Sequence, residues 1–174
     1  MERIFIGMLL VFLDFTLSIG NSRIDLIPDF VGYILMMKGI MELIQGCEEL
    51  DKARQFAMGM AIFTGAQFAM DLLGISVSIG WFTSYILAAG ALAGELITAY
   101  WIIQGILRLQ IIYNRNLEAE NLLYIWKVRL AFSIAAYALS WVSFLAFIAI
   151  IGNLIVSIIY LGYFNKTKNL YYAL

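Results

Sequence analysis

The chain contains no histidine, one cysteine and one proline, and only 13% of its 174 residues are charged. Without histidine, the sequence lacks the commonest general base, the commonest metal ligand and the usual pH switch near neutrality. The single cysteine, Cys47, has no partner in the chain for a disulfide bond. A net charge of −1 gives no basic field for binding nucleic acid. We therefore expect no metal site, no cofactor and no nucleic-acid partner.

Apolar residues dominate what is present. They make up 63% of the sequence and give a mean hydropathy of +0.90, whereas soluble domains contain about 45–50% apolar and about 25% charged residues. A soluble protein of this size could not cover so much apolar surface, so the excess is expected to face a lipid bilayer. Asp14 interrupts the first apolar run, which indicates a retained helix rather than a signal peptide. We predict a single integral membrane domain over residues 1–174.

Polar breaks divide the sequence into apolar segments of roughly the length that spans a bilayer, about 17–25 residues. The predicted fold is an all-α, polytopic transmembrane bundle of about six helices, arranged as three helical hairpins. The predicted spans are 4–19, 30–44, 56–73, 81–109, 122–143 and 146–164. The last two helices share a long uncharged stretch, and the turn between them is expected either near Ser143 or near Gly152 and Asn153.

Lysine and arginine predict the orientation, because cytoplasmic loops concentrate these residues. With six crossings, nine of them fall on one side and only Arg23 falls on the other, while Lys38 lies within the second helix. The nine are Arg3, Lys52, Arg54, Arg108, Arg115, Lys127, Arg129, Lys166 and Lys168. We therefore expect a multi-pass protein of the plasma membrane with both termini in the cytoplasm.

Ionisable residues inside the apolar helices are the best functional candidates, because a charge at mid-bilayer costs about 2.5–3.5 kcal/mol or more. At about 1.5 Å of rise per residue, four of them fall at similar depths. They are Asp14, Lys38, Glu42 and Glu95. Such a cluster has an acidic excess and could bind a cation, a proton or the amine of a small molecule. In the alternative interpretation, Lys38 and one carboxylate form a structural pair that only fixes helix packing.

Two other sets of residues are interpreted structurally. Arg108, Lys127 and Arg129 are expected near the cytoplasmic interface, where long side chains extend to the headgroups. Gly65, Gly90 and Gly94 are expected to let helices approach closely. The partner of these glycines is either a neighbouring helix of the same chain or a second copy in a homo-oligomer.

The entry to the second helix is the most distinctive stretch of the sequence. Pro28 suits the first turn of a helix, and Asp25 or Asp29 can cap its exposed amides. The run at residues 24–35, followed by residues 38–40, resembles a group of small uncharacterised membrane proteins from Gram-positive bacteria, which share a DLLPDFIGY-x-L entry to the second helix. This resemblance implies no known activity.

Three functional hypotheses follow from the sequence. The leading one is a membrane component that binds or transports a small solute or cation, because charges lie inside the helices. The alternative is an accessory or regulatory subunit that assembles with another membrane protein through faces such as that of Gly90 and Gly94. An intramembrane enzyme is the weakest hypothesis, because the residues of histidine- and zinc-dependent mechanisms are absent, and no catalytic residue is predicted.

Overall fold

The computed structural model describes residues 1–12, 16–19, 22–25, 28–43, 47–74, 80–139 and 142–173. Within these ranges the chain forms six helices and one two-stranded hairpin. The helices are α1 (Glu2–Phe12), α2 (Asp29–Met41), α3 (Glu48–Leu72), α4 (Trp81–Ile112), α5 (Ala119–Ala138) and α6 (Ser143–Tyr172). The antiparallel strands are β1 (Thr16–Ile19) and β2 (Ser22–Asp25). The prediction of a helical fold with six helices is confirmed, and the hairpin is an addition to it.

The first predicted helix, at residues 4–19, is too long. It ends at Phe12, and Thr16–Ile19 forms a strand instead. This strand pairs with Ser22–Asp25, so its backbone hydrogen bonds run to the neighbouring strand rather than along a helix. The span predicted as one helix therefore includes most of α1 and the whole of strand β1.

Other boundaries also differ from the prediction. The fifth helix, predicted at residues 122–143, spans Ala119–Ala138. The third helix begins at Glu48 rather than at residue 56, because acidic side chains in its first turn favour the positive end of the helix dipole. The sixth helix continues to Tyr172 rather than stopping at residue 164. The turn before it precedes Ser143, and Gly152 lies inside the helix, so the second predicted turn position is wrong.

The six helices form a closed ring. Each helix packs against the next one along the chain, and α6 packs back against α1. The closing contact includes Phe5 stacked on Phe164, with ring centroids 6.4 Å apart, and Phe12 tilted against Tyr160 at 5.7 Å. Because the packing continues between α2 and α3 and between α4 and α5, the bundle is one ring rather than three separate hairpins. One face of each helix is therefore directed towards a common centre.

One end of the ring carries most of the ion pairs, and we call it the charged end. It gathers the starts of α1, α3 and α5 and the ends of α2, α4 and α6. Three salt bridges join these segments: Arg3–Glu42 at 2.5 Å, Lys168–Glu2 at 2.9 Å and Lys166–Glu118 at 2.6 Å. Neighbouring helices consequently run in opposite directions, and the first and last helices terminate side by side.

Glycines set the distance between α1 and α2. A methyl group on Gly7 would overlap the carbonyl oxygen of Gly32, and one on Gly39 would lie 2.8 Å from the backbone nitrogen of Ile4. These neighbours are backbone atoms, which cannot move aside as a flexible side chain can. The two helices therefore touch backbone to backbone along a seam formed by Gly7, Gly32 and Gly39. None of these three is among the glycines predicted to pack helices.

The connection between α4 and α5 depends on Gln110. Its Oε1 accepts hydrogen bonds from the backbone N–H groups of Leu117, at 3.0 Å, and Ala119, at 3.4 Å. Asn114 and Glu118 have φ angles of 50° and 57°, in the left-handed region that residues other than glycine seldom adopt. The side chain of Gln110 thus stabilises a turn that the backbone alone does not favour.

We expect Gln110→Leu to lower the free energy of unfolding by about 1–3 kcal/mol, because it leaves two backbone donors without their acceptor. Thermal or chemical unfolding of the purified protein in detergent measures the change. Gln104→Leu makes the same chemical change about two turns earlier in α4 and serves as the control, with an expected change within about 0.5 kcal/mol. Equal losses in the two variants would argue against this role for Gln110.

Candidate functional site

A buried ion pair lies where several helices meet. Arg129 of α5 forms a salt bridge with Glu95 of α4, and their side chains are only 4% and 18% exposed. The Nε–H of Arg129 donates a hydrogen bond to Oγ of Ser157 in α6 at 2.9 Å. Its guanidinium carbon also lies 3.7 Å from the ring centroid of Phe12 in α1. One guanidinium therefore contacts side chains from three other helices.

This pair lies near the middle of its helices. At about 1.5 Å per residue, Glu95 is about 21 Å from the start of α4, and Arg129 is about 15 Å from the start of α5. Ser157 is about 21 Å from the start of α6. An isolated charge at such a position is strongly unfavourable, whereas a paired and hydrogen-bonded one is tolerated. The pairing therefore explains how two charged residues occupy the interior of an apolar bundle.

Two polar groups, one of them on Arg129 itself, have no hydrogen-bond partner within the described part of the chain. They are Nη1 of Arg129 and the hydroxyl of Tyr160, which is fully buried. Tyr33 of α2 is 2% exposed and lies within electrostatic range of both charges. We call Tyr33, Glu95, Arg129, Ser157 and Tyr160 the central cluster. Native proteins satisfy nearly all buried donors, so the two unpartnered groups mark a place where an acceptor is expected.

Polar contacts continue one turn further along α5 and α6. Oγ of Ser133 donates a hydrogen bond to Oδ1 of Asn153 at 2.9 Å. Ser133 follows Arg129 by one helical turn, towards the end of the ring opposite the charged end. This contact fixes the register of α5 against α6 next to the central cluster.

The structure does not bring the four predicted site residues together. Glu95 belongs to the central cluster, but Glu42 lies beyond the last residue of α2 and pairs with Arg3 at the charged end. Lys38 has an exposed side chain on α2. Asp14 lies outside the described residues. Among the described residues, the predicted acidic excess is not found around Glu95, whose carboxylate pairs with Arg129.

The predicted position of Arg129 is wrong. It is expected from the sequence to extend to the cytoplasmic interface, but it is 3% exposed and paired inside the bundle. The prediction failed because α5 begins at Ala119 instead of residue 122, which places Arg129 deeper than estimated. The signal that could have found it is Glu95, since an acidic residue in the middle of an apolar helix needs a basic partner at the same depth.

No protein-family model matches this chain, and no curated protein or solved structure matches it either.

Across the described residues, no group of three or more histidine, cysteine, aspartate or glutamate side chains is placed to hold a metal ion. The central cluster offers one carboxylate and one guanidinium, and a guanidinium has donors but no acceptor. Its chemistry is therefore that of charge pairing and hydrogen bonding.

The predicted packing glycines face other helices of the same chain. A methyl group on Gly94 would overlap the side chain of Met60 in α3, and one on Gly90 would lie 3.8 Å from the ring of Phe63, also in α3. A methyl group on Gly65 would lie 3.7 Å from a side chain of α2. Met60 therefore occupies the face of Gly94, whereas Gly90 stays exposed beside Phe63.

The entry to α2 is an extended segment followed by the helix. Pro28 has φ −60° and ψ 136° and precedes the first helical residue, Asp29, so it stands just outside the first turn. Its carbonyl accepts a hydrogen bond from the N–H of Val31 at 2.9 Å. Asp25 is the last residue of β2 and pairs with Thr16. The motif thus joins the hairpin to α2, and its run includes Tyr33 of the central cluster.

A groove of about 490 Å³ runs between α4 and α5. Apolar side chains line it, and Trp126 crosses one side, where its Nε1–H donates a hydrogen bond to the carbonyl of Leu96 at 3.1 Å. The groove residues of α5 include Trp126, Leu130 and Ile134, which follow one another at helical spacing, while Arg129 is on another face. The groove is therefore distinct from the central cluster.

Proposed function

We propose that this protein is a six-crossing integral membrane protein that binds a small polar solute at its central cluster, as a binding or transport component. Within the described ranges, two helical segments, Phe82–Tyr113 and Phe147–Tyr172, are long and apolar enough to cross a bilayer. Only 28% and 33% of an apolar 18-residue stretch within each of these segments is buried in the bundle. The core helix of a soluble protein would be mostly buried, so lipid is the solvent that suits this surface.

The dimensions of the ring support this assignment. Residues 143–165 of α6 carry no charge and are about 34 Å long as a helix, close to the roughly 30 Å of a hydrocarbon core. The segment exposes many large apolar side chains, including Phe144, Phe147, Ile148, Ile150, Ile151 and Ile155.

We propose that the charged end faces the cytoplasm. Eight of the nine lysine and arginine residues assigned to that side remain after Arg129 is moved to the interior, against Arg23 on the other side. The salt bridges of the charged end join helix ends and connections rather than helix centres. This arrangement supports an even number of crossings with both termini on one side, in the plasma membrane.

The unpartnered donors of the central cluster are the observation that carries the binding function. Nη1 of Arg129 and the hydroxyl of Tyr160 can both donate to an acceptor oxygen. Because Arg129 neutralises Glu95, the cluster favours a solute with acceptor oxygens over a simple cation. The alternative of an accessory subunit has less support, since Gly94, one of the two glycines proposed for it, already packs against Met60 of α3.

A thermal-unfolding screen of the purified protein in detergent against small polar solutes tests this function. A solute at about one hundred times its Kd should stabilise the protein by about 2.7 kcal/mol. Tyr160→Phe removes one unpartnered hydroxyl and keeps the ring, so it should abolish most of the stabilisation. Tyr163→Phe, about one turn later in α6 and outside the central cluster, is the control and should respond as the original protein does. If no solute stabilises the protein, or if Tyr160→Phe responds normally, the proposal is wrong.

A further inference from the structure

The central cluster is electrically neutral, and this limits what it can bind. Glu95 and Arg129 carry opposite charges, and the other three members of the cluster are a serine and two tyrosines. A ligand with a net charge would leave that charge uncompensated in the interior of the bundle, which is strongly unfavourable. A charged ligand therefore needs a second ion that restores neutrality.

The hydrogen-bonding groups of the cluster nevertheless favour an anion. Nη1 of Arg129 has two N–H donors without an acceptor among the described residues, and the hydroxyl of Tyr160 is unpartnered as well. A guanidinium and a carboxylate match in geometry, because two parallel N–H groups meet two oxygens. A cation beside these donors would be repelled. The ligand class that fits is a small carboxylate.

From this charge balance and these donors we infer that the cluster binds a small carboxylate together with one proton, which Glu95 takes up. The inference rests on the proposed function. An O–H bond forms on the carboxylate of Glu95, and Arg129 exchanges its salt bridge with Glu95 for one with the ligand. Two carboxylates beside one guanidinium share a proton because like charges at close range disfavour double ionisation. The cluster holds one positive and one negative charge before and after the exchange.

The surroundings of Glu95 leave it as the proton acceptor among the described residues. Arg129 of α5 pairs with Glu95, and Tyr33 of α2 and Tyr160 of α6 lie within electrostatic range of it. The carboxylate of Asp29, at the start of α2, lies within electrostatic range of Tyr33. On the adjoining stretch of α3, Met60 and Phe63 face α4, and α1 contributes Phe12; none of these titrates. Asp14, which follows α1 closely in sequence, lies outside the described residues and is included in the test.

The experiment titrates the purified full chain in detergent with sodium formate and sodium acetate at a series of pH values. Calorimetry measures affinity, and an indicator dye in weak buffer measures proton uptake. We expect one proton to be taken up with each anion, so the affinity should rise about tenfold for each unit of pH decrease while Glu95 is ionised. A buried water that satisfies Arg129 and Tyr160 would give neither signal, and that outcome would overturn the inference.

Three variants assign the roles. Glu95→Gln keeps an acceptor for Arg129 but cannot take a proton, so it should bind acetate with one affinity at every pH and without proton uptake. Asp14→Asn should behave as the original protein does. Tyr160→Phe should weaken acetate binding at every pH. Proton uptake that is lost in Asp14→Asn but kept in Glu95→Gln would contradict the assignment to Glu95.

Solute binding at the central cluster and carboxylate binding with a proton are contradicted by different results. If a neutral solute stabilises the protein through Tyr160 but neither formate nor acetate binds, the carboxylate inference is wrong and the binding function stands. If neither class of solute binds, both are wrong. Carboxylate binding that does not depend on pH would contradict proton uptake by Glu95 and would support only an anion site.

Discussion

Replacing Arg129 by leucine is expected to lower the free energy of unfolding by about 3–5 kcal/mol, the loss typical of removing one partner of a buried ion pair. Glu95, which is only 18% exposed, would lose the guanidinium that now pairs with it. The hydroxyl of Ser157 would also lose the hydrogen bond that it accepts from Nε–H of Arg129. Unfolding in a denaturing detergent, followed by tryptophan fluorescence, measures the loss.

Two further variants separate this effect from ordinary loss of packing. Adding Glu95→Leu to Arg129→Leu should restore much of the stability, because replacing both partners of a buried pair by apolar residues is often neutral or stabilising. Lys127→Leu, at an exposed position two residues earlier, is the matched control and should change stability by no more than about 0.5 kcal/mol. Equal losses for the Lys127 and Arg129 variants would show that the pair is not buried as described.

Replacing Gly7 by alanine is expected to destabilise the protein by about 3 kcal/mol or more, at the upper end for overpacking a tight contact. The added methyl group would overlap the carbonyl oxygen of Gly32 and lie 2.9 Å from the backbone nitrogen of Met36, both in α2. Neither backbone atom can rotate away, so α1 and α2 would have to separate. Since Phe12 at the end of α1 contacts Arg129, the separation should also disturb the central cluster.

The same substitution at Gly59 in α3 is the control. No atom lies within 4 Å of a methyl group placed there, so Gly59→Ala should stabilise the helix by roughly 0.5–1 kcal/mol, since alanine restricts the unfolded chain more than glycine does. The two glycine variants should therefore change the unfolding midpoint in opposite directions. A loss of similar size in both would argue that general helix effects, rather than the seam, explain the result at Gly7.

Hydropathy was sufficient to predict six helices, because each needs its own apolar run, but it could not place their ends. The charged residues that follow Cys47 were interpreted as a loop, although acidic side chains stabilise the first turn of α3. The strand at Thr16–Ile19 depends on pairing with Ser22–Asp25. The hydropathy of one segment alone does not reveal such pairing. The Gly20-Asn21 dipeptide between the two strands is typical of a tight hairpin and was the available signal.

The central cluster was only partly predictable. Glu95 stood out as an acidic residue within an apolar helix, but its partner was chosen by estimated depth, and errors of a few residues in helix starts shift such estimates by about one turn. Glu95 pairs with Arg129 rather than with Lys38 because α5 packs beside α4. The sequence does not show directly which helices are neighbours. The glycine seam had a local signal, since Gly32 and Gly39 are seven residues apart and share one face of α2.

Labelling of single cysteines by a membrane-impermeant maleimide, in a chain where Cys47 is replaced by alanine, shows which end of the ring faces the outside of the cell. Cys47 is a weak competitor even when present, because burial raises the pKa of its thiol. Thr83 near the start of α4 and Asn116 in the α4–α5 connection are both exposed and lie at opposite ends of the ring.

In intact cells we expect Thr83→Cys to be labelled and Asn116→Cys to be labelled only after the membrane is permeabilised. This outcome would place a bilayer between the two ends of the ring, with the charged end inside. Labelling of both cysteines in intact cells, or of neither until permeabilisation, would put both ends on one side and contradict a bundle that spans the membrane.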